Sequence, residues 1–446
     1  MDSMRRVKLG DVARVEISGV DKKTTAGETS VRLCNFTDIY KNWAITTPMY
    51  DSFMVASANE REIEKFTLHR GQVAVTKDSE TRDDIGIPTY IADSFDDVLL
   101  GYHCALITPD ESQLDGKYLN AFLHTEFIQK FFSANASGSG QRYTLSIETL
   151  NSIPLYLPSL AEQERIGSIF SSIDRKIEVN RQINDYLEAM AQQLYDFWFV
   201  QFDFPDENGK PYKSSGGKMV WNDKLKREIP EGWIVARLSD FIEKHISGDW
   251  GNDNLAGSCM PVSCIRGADM KTMDDLPLRY IPVSHTDRLL HDGDIVIEMS
   301  GGSPTQSTGR SVCITSRIIG ENKGRLICSN FCHALVIKTP YKYFFHYLWQ
   351  KLYENGNMFN FEGKTSGLRN LQLDSLCSSY WAFPRTKEYL EAFNVKIDSF
   401  LEERDNNKHT VKALEKQRST VLPLLMNGQV SVKPLNRDSR KLMKTL

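Results

Sequence analysis

Between residues 162 and 199 apolar side chains recur at intervals of three and four: Ile166, Ile169, Ile173, Lys176, Asn180, Ile183, Leu187, Met190 and Leu194 form an a/d seam with one polar layer. No glycine or proline follows Gly167 there, so the pattern predicts one helix of about 39 residues and roughly 58 Å. A seam of that length needs an equally long partner. The chain supplies one: Leu390, Phe393, Ile397, Phe400, Arg404, Asn407, Val411, Leu414, Arg418 and Val421 repeat the frame at a constant offset, with Ile397-Asp398 answering Ile173-Asp174. Asn180 and its repeat mate Arg404 read as a register device, because one buried polar a position fixes alignment at some cost in stability.

The duplication continues upstream of both helices. Val7-Lys8-Leu9-Gly10-Asp11-Val12 answers Val235-Ala236-Arg237-Leu238-Ser239-Asp240-Phe241, and Leu68-His69-Arg70-Gly71-Gln72-Val73-Ala74-Val75 answers Leu290-His291-Asp292-Gly293-Asp294-Ile295-Val296-Ile297. Ala105-Leu106-Ile107 and Leu145-Ser146-Ile147-Glu148-Thr149-Leu150 find counterparts in Ala334-Leu335-Val336 and Leu371-Gln372-Leu373-Asp374-Ser375-Leu376. The landmarks keep their order while the segments between them differ, which predicts two copies of a variable mixed domain, each followed by a long helix. The expected divisions are 1–158 (first domain), 159–199 (central helix), 200–232 (linker), 233–384 (second domain), 385–428 (second helix) and 429–446 (a basic tail).

Within the first domain, Val31-Arg32-Leu33, Val73-Ala74-Val75 and Cys104-Ala105-Leu106-Ile107 read as short strands. Residues 118–132 carry Leu119, Phe122, Leu123, Phe127, Phe131 and Phe132 at helical spacing. Loops rich in Gly, hydroxyls and Arg precede each return to a long helix, at 137–143 and 363–370. Pro205, Gly209, Pro211, Gly216 and Gly217 mark the segment between the halves as a polar linker without periodicity.

A length of 446 residues with 41% hydrophobic and 10% aromatic content allows for packed cores. No apolar run approaches the ~20 residues of a membrane span, and the N-terminus lacks the apolar stretch of a signal peptide, so a cytoplasmic protein is expected. The eight cysteines are scattered and read as buried thiols. Cys328, Cys332 and His333 have no second ligand pair at zinc spacing, so no metal is assigned.

The residues argue against catalysis. Six residues separate Gly356 from Gly363-Lys364-Thr365, where a phosphate loop has four. The carboxylates of Asp206 and Glu207 lie in the linker with no strand carboxylate upstream, and neither an Asn-Pro-Pro-Tyr motif nor a dinucleotide glycine fingerprint occurs. Two similar domains on a rigid spacer suit a reader of two half-sites. The net charge of -4 is low for a protein that grips phosphates alone, so basic residues must cluster in loops or partners must share the contact. Candidates for DNA contact are Lys77, Arg82, Gln141, Arg142 and Tyr143 in the first domain, and Gln306, Arg310, Lys323, Arg325, Lys364 and Arg369 in the second, because Arg, Lys and Gln can pair with base edges.

Ile153-Pro154 through Pro158, Leu160-Ala161-Glu162-Gln163-Glu164-Arg165-Ile166, Ile173-Asp174, Lys176-Ile177-Glu178 and Leu187-Glu188-Ala189-Met190-Ala191 resemble the central helical region of the specificity subunits of type I restriction-modification systems. Ile229-Pro230-Glu231-Gly232-Trp233 and Leu289-Leu290-His291-Asp292-Gly293-Asp294-Ile295 resemble that family's entry to a target recognition domain. Thr386-Lys387-Glu388 departs from the pattern where Glu162-Gln163 stands in the first copy. The resemblance implies an α+β chain of two target recognition domains separated by two long helices that pair as an antiparallel coiled coil, with Ile166, Ile173, Asn180, Leu187, Leu194, Ile397, Arg404 and Val411 in the spacer. It implies a non-catalytic subunit that reads a bipartite double-stranded DNA target and docks two methyltransferase subunits and motor-nuclease (restriction) subunits. S-adenosylmethionine, ATP and Mg would belong to those partners, and no cofactor to this chain. The competing reading is an assembly adaptor whose two domains bind only proteins.

Overall fold

A computed structural model describes residues 4–138, 142–255, 257–301, 303, 305–365, 368–430 and 432. The chain divides into two compact units: one built from residues up to Gln182 together with those from Lys408 onward, the other from Ile183–Asn407. Each unit holds one mixed domain and one half of each long helix.

In the first unit Arg5–Lys8 pairs antiparallel with Pro154–Leu157, so the start of the chain is stitched beside the entry to the first long helix. A five-stranded sheet follows in the order Ala13–Ile17, Cys104–Pro109, Val73–Thr76, Pro88–Ile91, Ala44–Ile45. A second sheet sets Thr29–Cys34 between Met54–Ala58, antiparallel, and Val98–Leu100, parallel. All four residues of Val73–Thr76 are buried, because both faces of this strand are covered.

The second unit repeats this plan. Ile234–Arg237 pairs with Tyr380–Phe383; a four-stranded sheet runs Ile242–Ser247, Cys332–Ile337, Ile295–Glu298, Ser311–Cys313; and Cys259–Ile265 lies between antiparallel Leu278–Pro282 and parallel Leu326–Cys328. Strand order and direction agree in these sheets, the first unit adding Ala44–Ile45 at one edge.

The long helices span Leu160–Tyr195, continued by a π-helical turn over Asp196–Val200, and Lys387–Met426. They run antiparallel within each unit. In the first, Ile173 and Ile177 pack with Val411 and Leu414, and Asp174 pairs with Arg418 at 3.5 Å and Arg181 with Glu415 at 2.8 Å. In the second, Glu188 meets Arg404 at 3.3 Å while Tyr195 and Trp198 pack on Phe393.

The phase of the first helix corrects the reading from sequence. Ile183 and Met190 are exposed and Lys176 faces solvent, whereas Phe170, Ile177, Ala191, Tyr195 and Trp198 are buried. The inward seam therefore steps four then three from Ile166 and Ile173. The helix carries two apolar stripes, and the larger aromatics decide which one packs inward. Asn180 is not the buried polar layer, since its Nδ2 donates to Lys176 O of its own helix at 2.7 Å. In the second unit Asn184 Oδ1 and Asn407 Nδ2 are instead buried without hydrogen-bond partners, and the register set by Glu188 and Arg404 places them within one turn of each other.

Three further readings change. Residues 118–132 are not one helix: Gly116–Leu123 ends and Glu126–Asn135 restarts across His124, whose Nδ1 lies 2.8 Å from Asn120 O and whose ring stacks on Trp43 at 4.0 Å. The segment taken as a featureless linker contains the hairpin of Met219–Asn222 with Arg227–Pro230. It also buries Phe202 and Phe204, which pack on Trp233, while Asp203 between them accepts hydrogen bonds from Ser214 N and Oγ. Where a loop was expected, Ser137–Gly138 pairs antiparallel with Tyr143–Thr144. The expected tail at 433–446 lies outside the described residues.

The first domain is seated on its helix through Gln163, 1% exposed. Its Oε1 accepts from Asp115 N at 3.0 Å, and its Nε2 donates to Gln113 O and Pro158 O at 3.1 Å each. Gln163→Ala would leave a buried N–H and two carbonyls unsatisfied. We expect a loss of about 2–3 kcal/mol, seen as a lower denaturant midpoint at unchanged slope.

Candidate nucleic-acid interface

In the first unit a three-stranded sheet gathers most of the candidate residues: Tyr143–Thr144 pairs with Ser137–Gly138 on one side and with Asp78–Ser79 on the other. Lys77 Nζ lies 2.9 Å from Asp78 Oδ2, and His103 Nδ1 lies 2.6 Å from the same oxygen. Arg142 Nη2 stands 2.8 Å from both ring nitrogens of His103. The exposed guanidinium of Arg82 lies over the Tyr143 ring, 5.0 Å from its centroid. Burial opposes ionisation of Asp78, but hydrogen bonds from Thr144, Lys77 and His103 outweigh it and hold the carboxyl below its usual range. Gln141 lies outside the described residues.

The second unit places an equivalent sheet at the same point, with Leu368–Leu371 between Glu362–Thr365 and Ser300–Gly301. Arg310 forks onto the buried carboxylate of Glu298, Nε to Oε2 at 2.9 Å and Nη2 to Oε1 at 2.6 Å, and this hydrogen bonding raises the arginine pKa. Arg369 Nη1 donates to Glu362 Oε2 at 2.8 Å, and Glu362 Oε1 accepts from Thr308 N at 2.7 Å. Gln306 is exposed, with its Nε2 donating to Tyr353 Oη at 3.2 Å. Lys364 lies in the strand opposite Arg369. Lys323 and Arg325 are not part of this cluster: they lie exposed in the turn before Leu326–Cys328, a strand of a different sheet.

Sequence reasoning found the arginines and missed what aims them. Asp78, His103, Glu298 and Glu362 fix Arg142, Arg310 and Arg369 through side chains up to 64 positions away, Arg142 through His103 and Asp78. An isolated Glu298 at the end of the apolar run Ile295-Val296-Ile297 was the one available signal, since a carboxylate finishing a buried strand requires a cation. Arginines held by carboxylates keep their remaining N–H groups in fixed directions, which reconciles directed basic side chains with a net charge of -4.

The spacer residues lie on the helices as follows. Ile166, Ile173, Ile397 and Val411 are buried; Leu187, Leu194 and Arg404 are half-buried. On the other side of the first helix Ile183, Tyr186, Met190, Phe197 and Val200 form a second, exposed apolar stripe, with Tyr186 69% and Met190 50% accessible.

Duplicated mixed domains, each with arginines at a small sheet and each with half of two antiparallel long helices, define the class of fold. Residues 1–189 match the family model of the type I restriction modification DNA specificity domain. The MjaIX type I restriction enzyme specificity subunit of Methanocaldococcus jannaschii is 23% identical over 330 residues, covering 72% of this chain and 70% of that protein. The HindI specificity subunit of Haemophilus influenzae is 30% identical over 126 residues, 28% of each chain. The crystal structure of the type I restriction-modification S subunit from M. genitalium shares the fold, with a TM-score of 0.54, 98% of both chains covered and 13% identity. By sequence the chain is similar to the specificity subunits of type I restriction-modification systems. Among the described residues no helix is long and apolar enough to cross a membrane.

Proposed function

We propose that each domain reads one part of a bipartite duplex target through its small arginine-bearing sheet, and that the exposed stripe on the first long helix seats a methyltransferase subunit. The observation that carries this reading is the repetition, in both units, of the same three-stranded sheet beside the same strands, with Arg142 at the edge of one and Arg369 in the other. Type I specificity subunits are the non-catalytic, DNA-recognising component of their systems. S-adenosylmethionine, ATP and Mg then enter with the partner subunits, two methyltransferase copies follow from the two-fold repeat, and the assembly works in the cytoplasm.

The chain mixed with its methyltransferase partner should bind a duplex carrying both parts of the target about a thousandfold more tightly than random duplex. Scrambling either part alone should remove most of that difference. Absence of binding to any duplex would favour an adaptor that binds only proteins.

Tyr186→Ala should weaken methyltransferase association by about 30-fold, the effect of losing one exposed aromatic anchor, while leaving the melting temperature unchanged. Unaltered association in a titration would place the docking surface elsewhere.

A further inference from the structure

The two small sheets correspond residue by residue. In the first unit Leu145 N donates to Lys77 O and Lys77 N to His103 O, each at 2.8 Å; in the second Leu371 N donates to Met299 O and Met299 N to Phe331 O, each at 2.8 Å. These bonds equate Lys77 with Met299 and His103 with Phe331. The ladder register likewise equates Asp78 with Ser300 and Thr144 with Asn370.

The chemistry at the equivalent position differs. His103 sits at φ +71°, a conformation uncommon for a residue with a Cβ, and its ring joins Asp78 to Arg142. Phe331 is 51% exposed and lines a surface cavity with Trp250, Arg266 and Ser300. A backbone position reproduced in both domains, carrying in one a histidine that holds the Arg142 guanidinium and in the other an exposed aromatic ring, has the properties of a variable reading position on a fixed frame.

We propose that this position reads one base in each half-site: a guanine in the first, through Arg142 held by His103 and Asp78, and a thymine in the second, through Phe331. The inference rests on the DNA-recognition reading above. Arginine matches the paired O6 and N7 acceptors of guanine in the major groove, and an apolar ring matches the thymine methyl.

The test uses the full chain with its methyltransferase subunit and competition binding on a duplex library in which each target position is varied in turn. Arg142→Gln should reduce discrimination about tenfold at one guanine of the first half-site and nowhere else. Phe331→Ala, an exposed change with no folding cost, should do the same at one thymine of the second, and Phe331→His should alter the base preferred there. His103→Asn, which tolerates positive φ, should reproduce the Arg142 effect in weaker form. Wild-type discrimination at every position in both Arg142→Gln and Phe331→Ala would overturn the proposal, as would weakening that is uniform across all sequences, the signature of a phosphate contact. In either case a wild-type complex that still prefers its bipartite target leaves the broader reading intact. A wild-type complex with no sequence preference would overturn both.

Discussion

Exchanging residues 1–158 for the corresponding domain of a type I specificity subunit should replace one half of the methylated sequence and leave the other half unchanged. The seat of the first domain makes this exchange physically reasonable. Gln163 on the helix bonds only main-chain groups of the domain, those of Asp115, Gln113 and Pro158. Main-chain groups are present whatever the side chains, so a different domain can satisfy the same three bonds. Gly167 supplies the other requirement: a Cβ there would stand 2.8 Å from Asp115 Oδ1 and 2.9 Å from Tyr118 N, so the close approach of helix and domain depends on its absence. Arg418, which lies over the Trp43 ring at 4.6 Å, is the contact most dependent on sequence, and a donor domain with an aromatic residue at that point should perform best. Sequencing methylated bases in cells carrying the hybrid and its partner subunits decides the matter. Change in both halves would show that the domains do not read independently.

Arg310→Ala should lower the stability of the second unit by about 3–5 kcal/mol, far more than the loss of a solvated arginine. The cause is the partner left behind. Glu298 has a side chain only 4% exposed, so without Arg310 its carboxylate is left buried and unpaired. Removing both charges together, as in Glu298→Leu with Arg310→Met, should recover most of the loss, because an apolar pair of similar volume avoids the unpaired buried ion. Denaturant titration of the two single variants and the double variant gives the coupling directly. If Arg310→Ala cost less than about 1 kcal/mol, the fork would be a surface ion pair and Arg310 free to serve the DNA alone.

The fold class was legible because two periodicities survive in the sequence: seven-residue spacing in the helices, and a fixed order of short strands in each half. The phase of the first helix was not. Ile173, Ile183, Leu187 and Met190 satisfy one seam as well as Ile173, Ile177, Ala191 and Trp198 satisfy the other, and only packing against Val411, Leu414 and Phe393 distinguishes them. Glycines and prolines likewise masked Phe202 and Phe204 in the segment between the halves, where two rings are enough to anchor it. At the interface the cations were visible as residue types, while the carboxylates that aim them come from other strands. Asp78 and Arg142 belong together only after Asp78–Ser79 pairs with Tyr143–Thr144.

The division of the chain has a consequence for its synthesis. Ile183–Asn407 is contiguous and can close its core as soon as the ribosome has released it, whereas the first unit is assembled from both ends of the chain. Leu422, Leu425 and Met426 share a core with Ile166, Phe170 and Leu157, so the domain translated first is the one completed last. Until those residues emerge, the inward stripe of the first helix near Ile166 and Phe170 remains uncovered. Nascent chains stalled short of residue 408 should therefore recruit chaperones through the first half of the molecule, and a premature stop there should cost the first domain although every one of its own strands has been made.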